Sequence, residues 1–334
     1  MGFRERNLYH KRYKDRIRSK DKGYKGLQHT LKTTTEWLEG IGLHTGAPVR
    51  LRILPAAPGT GILFIRTDLP SVNTYVPAAY DAVDAASSNL CTFLKNSAGV
   101  AVQTPEHLLA ALAGCGIDNA LIEISSAEVP LVDGSAKPFV DAINVVGRKA
   151  QPAPHAALKI LKTVRVEDGD RFAELKMHEG PLSVDFTIDF PGLGKQQRRY
   201  TQTDMQSFAQ EIAAARTFTL RSIAEKMKTA GAVKGGSLDN ALVLNDEDGT
   251  PYQGDVRYAD EPVRHKIMDA IGDLALAGMP IIGAFTCVKG GHALTNRLLR
   301  AVFASPDNYR IVYDIAGIHV PQRGETVASV AEQA

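Results

Sequence analysis

The sequence predicts an α+β protein: two topologically similar domains, each a sheet covered by helices. Three observations carry this. Short runs of β-branched and aromatic residues, broken by Gly and Pro, precede each of two strongly apolar helical segments. Each of those segments opens at a proline (Pro105, Pro262) and carries a histidine soon after it (His107, His265). Each then stops at glycine (Gly114, Gly278) and is followed by an apolar run, ending at Ile124 in one case and Val288 in the other. Between the two lies Gln151-Pro152-Ala153-Pro154-His155, the strongest linker signal in the chain. A plan repeated in this order reads as a duplication of one sheet covered by helices. The expected layout is a basic, disordered arm over 1–26, a first α+β domain over 27–150, a linker over 151–156, a second α+β domain over 157–310, and a C-terminal tail over 311–334.

A chain of 334 residues with 44% hydrophobic and 7% aromatic content is long enough for two globular domains. Cys91, Cys115 and Cys287 are odd in number, widely spaced and form no C-x-x-C pair. That argues for reduced thiols and against a disulfide scaffold or a thiolate zinc site. The longest apolar stretch, 274–288, is interrupted by Gly278 and Pro280 and is shorter than the ~20 residues a membrane span needs. The net charge of +2 is unevenly spread: ten basic and three acidic residues within 1–26 give that segment +7 and leave the rest at −5. A mildly acidic body excludes a global nucleic-acid signature. The arm lacks the apolar core of a secretory signal. A solvated tail, a transit peptide and an arm attracted to phosphate or lipid stand as alternatives for it.

Taken in order, residues 28–35, 49–54 and 61–65 read as strands. The span Glu39-Gly40-Ile41-Gly42-Leu43-His44-Thr45-Gly46 lies between the first two, its glycines permitting a tight backbone path. Thr104 is placed to cap a helix that begins at Pro105, and 120–124 follows as a buried strand. A turn at 132–135 leads to a helix over 138–146. In the second half strands are expected over 158–166, 173–176 and 183–190, and helices over 204–215 and 222–229. A strand at 241–244 and a hairpin turn at 246–249 come next. Then follow a helix opened by Pro262, a strand over 281–288 and a last helix over 293–303.

The chemistry concentrates on Arg264-His265-Lys266-Ile267-Met268-Asp269-Ala270-Ile271-Gly272-Asp273. His265, Asp269 and Asp273 are spaced by four and share one helix face. With His107 from the first half, His265 and Asp269 make a three-ligand set of the kind that binds catalytic Zn2+ and leaves a fourth position open. Glu106, beside a ligand at the same helix start, is placed as general base. His292, in Lys289-Gly290-Gly291-His292, is the candidate acid or oxyanion partner, with Asp273 to orient it. There is no H-E-x-x-H, so a thermolysin-type protease lacks its motif.

Several ordered blocks then identify a resemblance. These are residues 39–46, Leu90-Cys91-Thr92, residues 104–108, Gly116-Ile117-Asp118-Asn119, Asp133-Gly134-Ser135, Arg216-Thr217-Phe218, Gly235-Gly236-Ser237, residues 264–273 and Gly291-His292. Over about 27–303 the sequence resembles the UDP-3-O-acyl-N-acetylglucosamine deacetylases, the zinc amidases of lipid A biosynthesis. The resemblance implies two topologically similar β-α-α-β sandwich domains packed together with the active site between them, in agreement with the repeated plan. The resemblance implies that His107, His265 and Asp269 bind zinc and that Glu106 activates water. It implies that His292, supported by Asp273, is the acid or electrostatic partner, and that Thr217 bonds the carbonyl or its oxyanion. Lys266, Phe218 and Arg216 would meet the substrate near the glucosamine, Lys289 its diphosphate, and Phe190 its uridine. An insert over 219–236 would form a passage for the acyl chain. Here Thr219, Leu220 and Arg221 stand where the family has an aromatic and further apolar residues, which bears on the width of that passage.

The implied substrate is UDP-3-O-acyl-N-acetylglucosamine, and the implied products are UDP-3-O-acylglucosamine and acetate. The implied state is a monomer close to a membrane surface, without a nucleic-acid partner. It would be cytoplasmic in a bacterium and organellar in a plant or alga. Two alternatives are a non-catalytic relative that binds the acylated sugar nucleotide, and a zinc hydrolase of another acylated amine.

Overall fold

A computed structural model describes residues 26–70, 73–88 and 90–313. Residues 1–25 of the basic arm and 314–334 of the tail lie outside the described residues. The first half runs through β1 (Leu27–Leu31), β2 (Leu38–Ile41), β3 (Pro48–Pro55), β4 (Ile62–Arg66) and β5 (Tyr75–Pro77). After a short 3-10 turn come β6 (Phe93–Lys95), β7 (Ala101–Gln103), α1 (Glu106–Gly114), β8 (Ala120–Ile124), α2 (Lys137–Val146) and β9 (Arg148–Pro154). The second half begins with β10 (Ala156–Ile160), β11 (Val164–Asp168), β12 (Arg171–Lys176), β13 (Ser183–Phe190) and β14 (Gly194–Thr201). It continues with α3 (Met205–Glu211), β15 (Phe218–Leu220), α4 (Arg221–Thr229), β16 (Leu242–Leu244) and α5 (Glu261–Ala275). It closes with β17 (Ile281–Ile282), β18 (Ala284–Val288), α6 (His292–Phe303) and β19 (Tyr309–Tyr313).

Two five-stranded sheets dominate, in the orders β2-β3-β8-β4-β5 and β11-β12-β18-β13-β14. Their connectivity is the same. In each, the last strand in sequence is the central one, antiparallel to one neighbour (β3 or β12) and parallel to the other (β4 or β13). A helix enters each central strand (α1 or α5) and another leaves it (α2 or α6). The repeated plan read from sequence is therefore present as repeated topology.

Alternation builds the sheets. Val49, Leu51 and Ile53 of β3 are buried while Arg50 is exposed, and Val184, Phe186 and Ile188 of β13 are buried in the same period of two. The helices fill the space between. α5 packs on β13 and β14, α6 on β11 and β12, and α1 packs directly on α5. α1 has almost no polar face: every residue but Ala113 is buried, so it is stable only when covered on all sides. One contiguous core holds Leu51, Phe64 and Ile122 together with Phe186, Phe285 and Leu298.

Several local expectations are corrected. Gln151 to Pro154, expected as a linker, lies in strand β9, which pairs antiparallel with β1. Gln151 is buried and donates from Nε2 to the Ala56 carbonyl, so the prolines occupy an edge rather than a flexible joint. The single strand expected over 158–166 is two, β10 and β11, belonging to different sheets, and that over 281–288 breaks at Gly283 into β17 and β18. β19 crosses the expected boundary at 310 and pairs along all of β10, so the tail begins later. Thr104 is not a cap: its backbone is left-handed at φ 54°, and its hydroxyl donates to Glu128 instead of accepting from the helix. Polar β14 and short β5, β6, β7 and β15 were not anticipated, because neither a polar edge strand nor a three-residue strand has a period to detect. No described helix is long and apolar enough to cross a membrane.

Candidate active site

The site forms where α1 meets α5. At Gly272 a Cβ would stand 2.0 Å from the Glu106 carbonyl oxygen, so only glycine lets α5 lie this close to the start of α1. That approach sets His107 beside the stripe His265, Asp269 and Asp273, all buried. His107 Nε2 is 3.5 Å, and His265 Nε2 3.4 Å, from Asp269 Oδ1. The two imidazoles meet edge to face with centroids 5.0 Å apart.

These three side chains are the one group of three His, Cys, Asp or Glu among the described residues whose ligand atoms lie close enough to hold a metal ion, all within 4.8 Å of one another. Two further observations fit that role. Asp269 Oδ1 is buried without a hydrogen-bond partner, a state that costs ~1–3 kcal/mol unless something meets it. His265 Nδ1 lies 3.1 Å from the Ala215 carbonyl, which only accepts, so this nitrogen carries the proton and Nε2 keeps its lone pair. Burial lowers His265 to about 4, keeping it neutral. Ligands at ~2.1 Å around a tetrahedral ion stand about 3.4 Å apart, close to the two spacings seen here.

Beside this cluster sits a second one. His292 opens α6; its Nδ1 donates to Asp273 Oδ2 at 2.9 Å, and its Nε2 is 3.7 Å from Glu106 Oε1 and 4.0 Å from Asp269 Oδ2. Burial alone would lower His292, but Asp273, Glu106 and Asp269 outweigh it and hold the imidazolium up to about 9. Burial raises the Glu106 carboxyl above its ordinary 4.5, with His292 and His107 opposing. For Asp269 burial acts upward, yet His265, Lys266, His107 and His292 together hold it well below the usual carboxylate range. A buried carboxyl pushed upward and an imidazole held protonated stand side by side, an arrangement that can take up a proton at one group and give one up at the other.

A family model described as UDP-3-O-acyl N-acetylglycosamine deacetylase matches residues 28–304. The chain belongs to that deacetylase family. It is 45% identical over 303 residues to the UDP-3-O-acyl-N-acetylglucosamine deacetylase of Haemophilus influenzae (strain PittEE), covering 88% of this chain and 96% of that protein. The protein of that name from Glaesserella parasuis serovar 5 (strain SH0165) is 42% identical over 298 residues, with the same coverage. That from Pasteurella multocida (strain Pm70) is 45% identical over 293 residues, covering 85% of this chain and 92% of its own.

The other residues anticipated from this deacetylase family are placed as follows. Lys266 Nζ donates to Asp269 Oδ2 at 2.7 Å, on the side away from the orphaned oxygen. Phe218 faces His265 edge-on at 6.2 Å and so borders the cluster, and Phe190 packs behind it, facing Phe218 at 5.3 Å. Thr217 is anchored through its backbone, with its N–H on the Gly134 carbonyl and its carbonyl receiving Leu242 N–H, two residues from the Ala215 carbonyl that holds His265.

Two residues have other partners. The Arg216 guanidinium grips fully buried Glu261 through Nε and Nη2 at 2.9 and 3.1 Å and donates to the Asp255 carbonyl. Its guanidinium is thus anchored under the first turn of α5. Lys289 Nζ is held by Asp170 and Asp189 at 3.0 and 3.1 Å.

Thr92 was given no role in the sequence, yet it bridges the site. Its hydroxyl donates to Asp273 Oδ1 at 2.7 Å and its N–H to Glu106 Oε2 at 3.3 Å. Only its place in one of the recurring blocks drew notice. The Ala215 carbonyl left no signal at all, since a backbone oxygen carries no residue identity.

Proposed function

We propose that this chain hydrolyses the N-acetyl group of UDP-3-O-acyl-N-acetylglucosamine with zinc as its metal, releasing acetate and UDP-3-O-acylglucosamine for lipid A biosynthesis. The observation that carries this is the adjacency of two buried constellations: His107, His265 and Asp269 with an orphaned oxygen, and Glu106, His292 and Asp273, in which His292 donates to Asp273 and faces Glu106 at 3.7 Å. Family membership and the names of relatives that match over most of their length support the substrate.

Zinc held by His107, His265 and Asp269 would polarise the acetamide carbonyl and acidify a water, as such sites do in three-ligand hydrolases. The chain's own residues do the rest. Glu106, raised by burial, takes the proton from the attacking water. His292 enters protonated, faces the developing negative charge and hands its Nε2 proton to the leaving nitrogen. Asp273 holds the opposite nitrogen of His292, and Thr92 holds both Asp273 and Glu106, so acid and base keep their separation through the reaction. The Thr217 hydroxyl donates to the oxyanion. Lys266 fixes Asp269 through its outer oxygen and meets the sugar, with Phe218 and Phe190 packing against glucosamine and uridine. Lys289 reaches the diphosphate by exchanging its carboxylate partners for phosphate. The insert over 219–236 walls the path of the acyl chain, and the enzyme works in the cytoplasm as a monomer.

The test is acetate release from UDP-3-O-acyl-N-acetylglucosamine by the purified chain, after chelation and after adding back zinc. Activity that chelation abolishes and zinc restores is expected. Full activity of the chelated protein, or acetate release that ignores the 3-O-acyl group, overturns the proposal.

A further inference from the structure

Glu128 is fully buried and lies outside both constellations. Each of its oxygens receives two donors: Oε1 takes His44 N–H at 2.8 Å and the Thr104 hydroxyl at 3.2 Å, and Oε2 takes Thr45 N–H at 2.9 Å and the Thr45 hydroxyl at 2.7 Å. One carboxyl therefore binds two separate segments together.

The first segment, residues 42–46, is the seat of the insert. Gly235 N–H donates to the Leu43 carbonyl at 3.0 Å, and His44 Nδ1 lies 3.1 Å from the Ala232 carbonyl. A Cβ at Gly235 would stand 2.2 Å from the Gly42 carbonyl oxygen, so backbone rests on backbone there. The second segment is the turn into α1. Thr104 is β-branched, precedes a proline and has φ 54°, a left-handed conformation that such a residue does not hold unaided. Its hydroxyl bond to Glu128 and its N–H bond to the Thr92 carbonyl hold it there. Two residues later stands Glu106, and Thr92 itself touches Glu106.

We propose that Glu128 is a positioning residue that couples the seating of the insert to the placement of Glu106. The chain of contact runs from Ala232 and Gly235 through the 42–46 loop and Glu128 to Thr104 and the start of α1. A substrate whose chain orders the insert thereby tightens the geometry of the base. This rests on the function proposed above, and it goes beyond it by linking recognition of the acyl chain to the rate of the chemical step.

The experiment uses Glu128→Gln and Gly235→Ala in the full chain. A Gln amide offers one acceptor oxygen where Glu128 offers two, so two of the four bonds are lost at unchanged volume. Amide hydrogen exchange is read at 42–46, 103–106 and 232–236, with metal content and kcat and KM for substrate with and without the 3-O-acyl chain. Glu128→Gln should raise exchange in all three segments while β18 stays protected, with metal content kept. The advantage of the acylated over the unacylated substrate in kcat should shrink ~10-fold, within the ~10²-fold that a 1 Å misplacement costs. Gly235→Ala, which leaves Glu128 and Thr104 intact, should shrink the same ratio from the other end. If the two substrates slow equally in both variants, or exchange rises on one side of Glu128 only, the coupling is overturned and Glu128 is merely structural. If wild-type protein deacetylates neither substrate, the proposed function fails, while the exchange data still decide whether the two segments move together.

Discussion

The two sheets share one connectivity, yet the halves use it differently. In the first half the central strand β8 is followed by residues 125–136 before α2 begins; in the second, β18 is followed only by 289–291 before α6. The short connection places His292 at a helix start directly over the site, whereas the long one sends Glu128 back under the loop at 42–46. The helices that enter the central strands differ as well. α1 offers polar groups only in its first turn, Glu106 and His107, and is apolar beyond, while α5 carries His265, Asp269 and Asp273 along two turns of one face. A duplicated scaffold thus supplies equivalent positions, and the difference in where each half spends its polar residues makes the site a composite that neither half could form alone.

That asymmetry can be attacked at its centre. His107→Ala and His265→Ala each remove one proposed ligand from a different half, and both are expected to lose bound metal and to reduce acetate release to background. Metal analysis showing full occupancy in either would mean that the halves do not share an ion. Glu106→Gln leaves all three proposed ligands in place; with Glu106 as the proposed base, metal should remain and kcat should fall ~10²–10⁴-fold, the usual cost of losing such a group. A loss of metal instead would move Glu106 into the ligand set.

The next effects concern how the second half holds α5. Glu261 is fully buried and faces Arg216 at 2.9 Å. Burial acts to raise its carboxyl, but the Arg216 side chain and the N–H groups of Arg216 and Arg257 outweigh this and hold it below its ordinary 4.5. A depressed carboxylate stabilises the fold above that ordinary value and loses its contribution as pH falls through the lower folded value. Arg216→Ala should therefore cost ~3–5 kcal/mol in urea unfolding at pH 7, because it strands a buried charge. Glu261→Gln should flatten the loss of stability on acidification below 4.5; an unchanged acid limb would show that the pair contributes nothing to it.

Gly272→Ala probes the contact between the halves directly. Its Cβ has no room beside the Glu106 carbonyl, so overpacking of ~1–3 kcal/mol is expected, with activity falling more than stability as α1 and α5 separate. Wild-type kinetics in this variant would show that the close approach is not needed for the site. The smallest effect belongs to Lys289→Ala, at a half-buried, already paired lysine. KM should rise while kcat holds, and a drop in kcat with KM unchanged would remove Lys289 from substrate binding.

Much of this was legible in the sequence, for identifiable reasons. His265, Asp269 and Asp273 are related by helical spacing, which a single segment displays. His107 and Glu106 stood out because a wholly apolar helix has little reason to open with an imidazole and a carboxyl. Thr92, the Ala215 carbonyl and Glu128 were not legible, because each acts across a long separation, 181 residues from Thr92 to Asp273 and 50 from His265 to Ala215. The pairing of Arg216 was hidden for a related reason. An arginine carries no sign of which carboxylate it will meet, and only the fold brings Glu261, 45 residues away, beneath it.

The sequence by itself determined the alternation of the strands, the two glycine-bounded helices, the repeated plan and the residue types at the centre, since these follow from local periodicity and backbone preference. The tertiary structure alone decided that Pro-rich 151–154 is a strand, that Thr104 turns left-handed, that one oxygen of Asp269 is left to face two imidazoles, and that His292 and Glu106 stand 3.7 Å apart. Those are matters of which surfaces meet. Meeting is governed by close packing between distant segments, here by a single glycine at 272 that lets two helices touch, and no local rule in the chain encodes it.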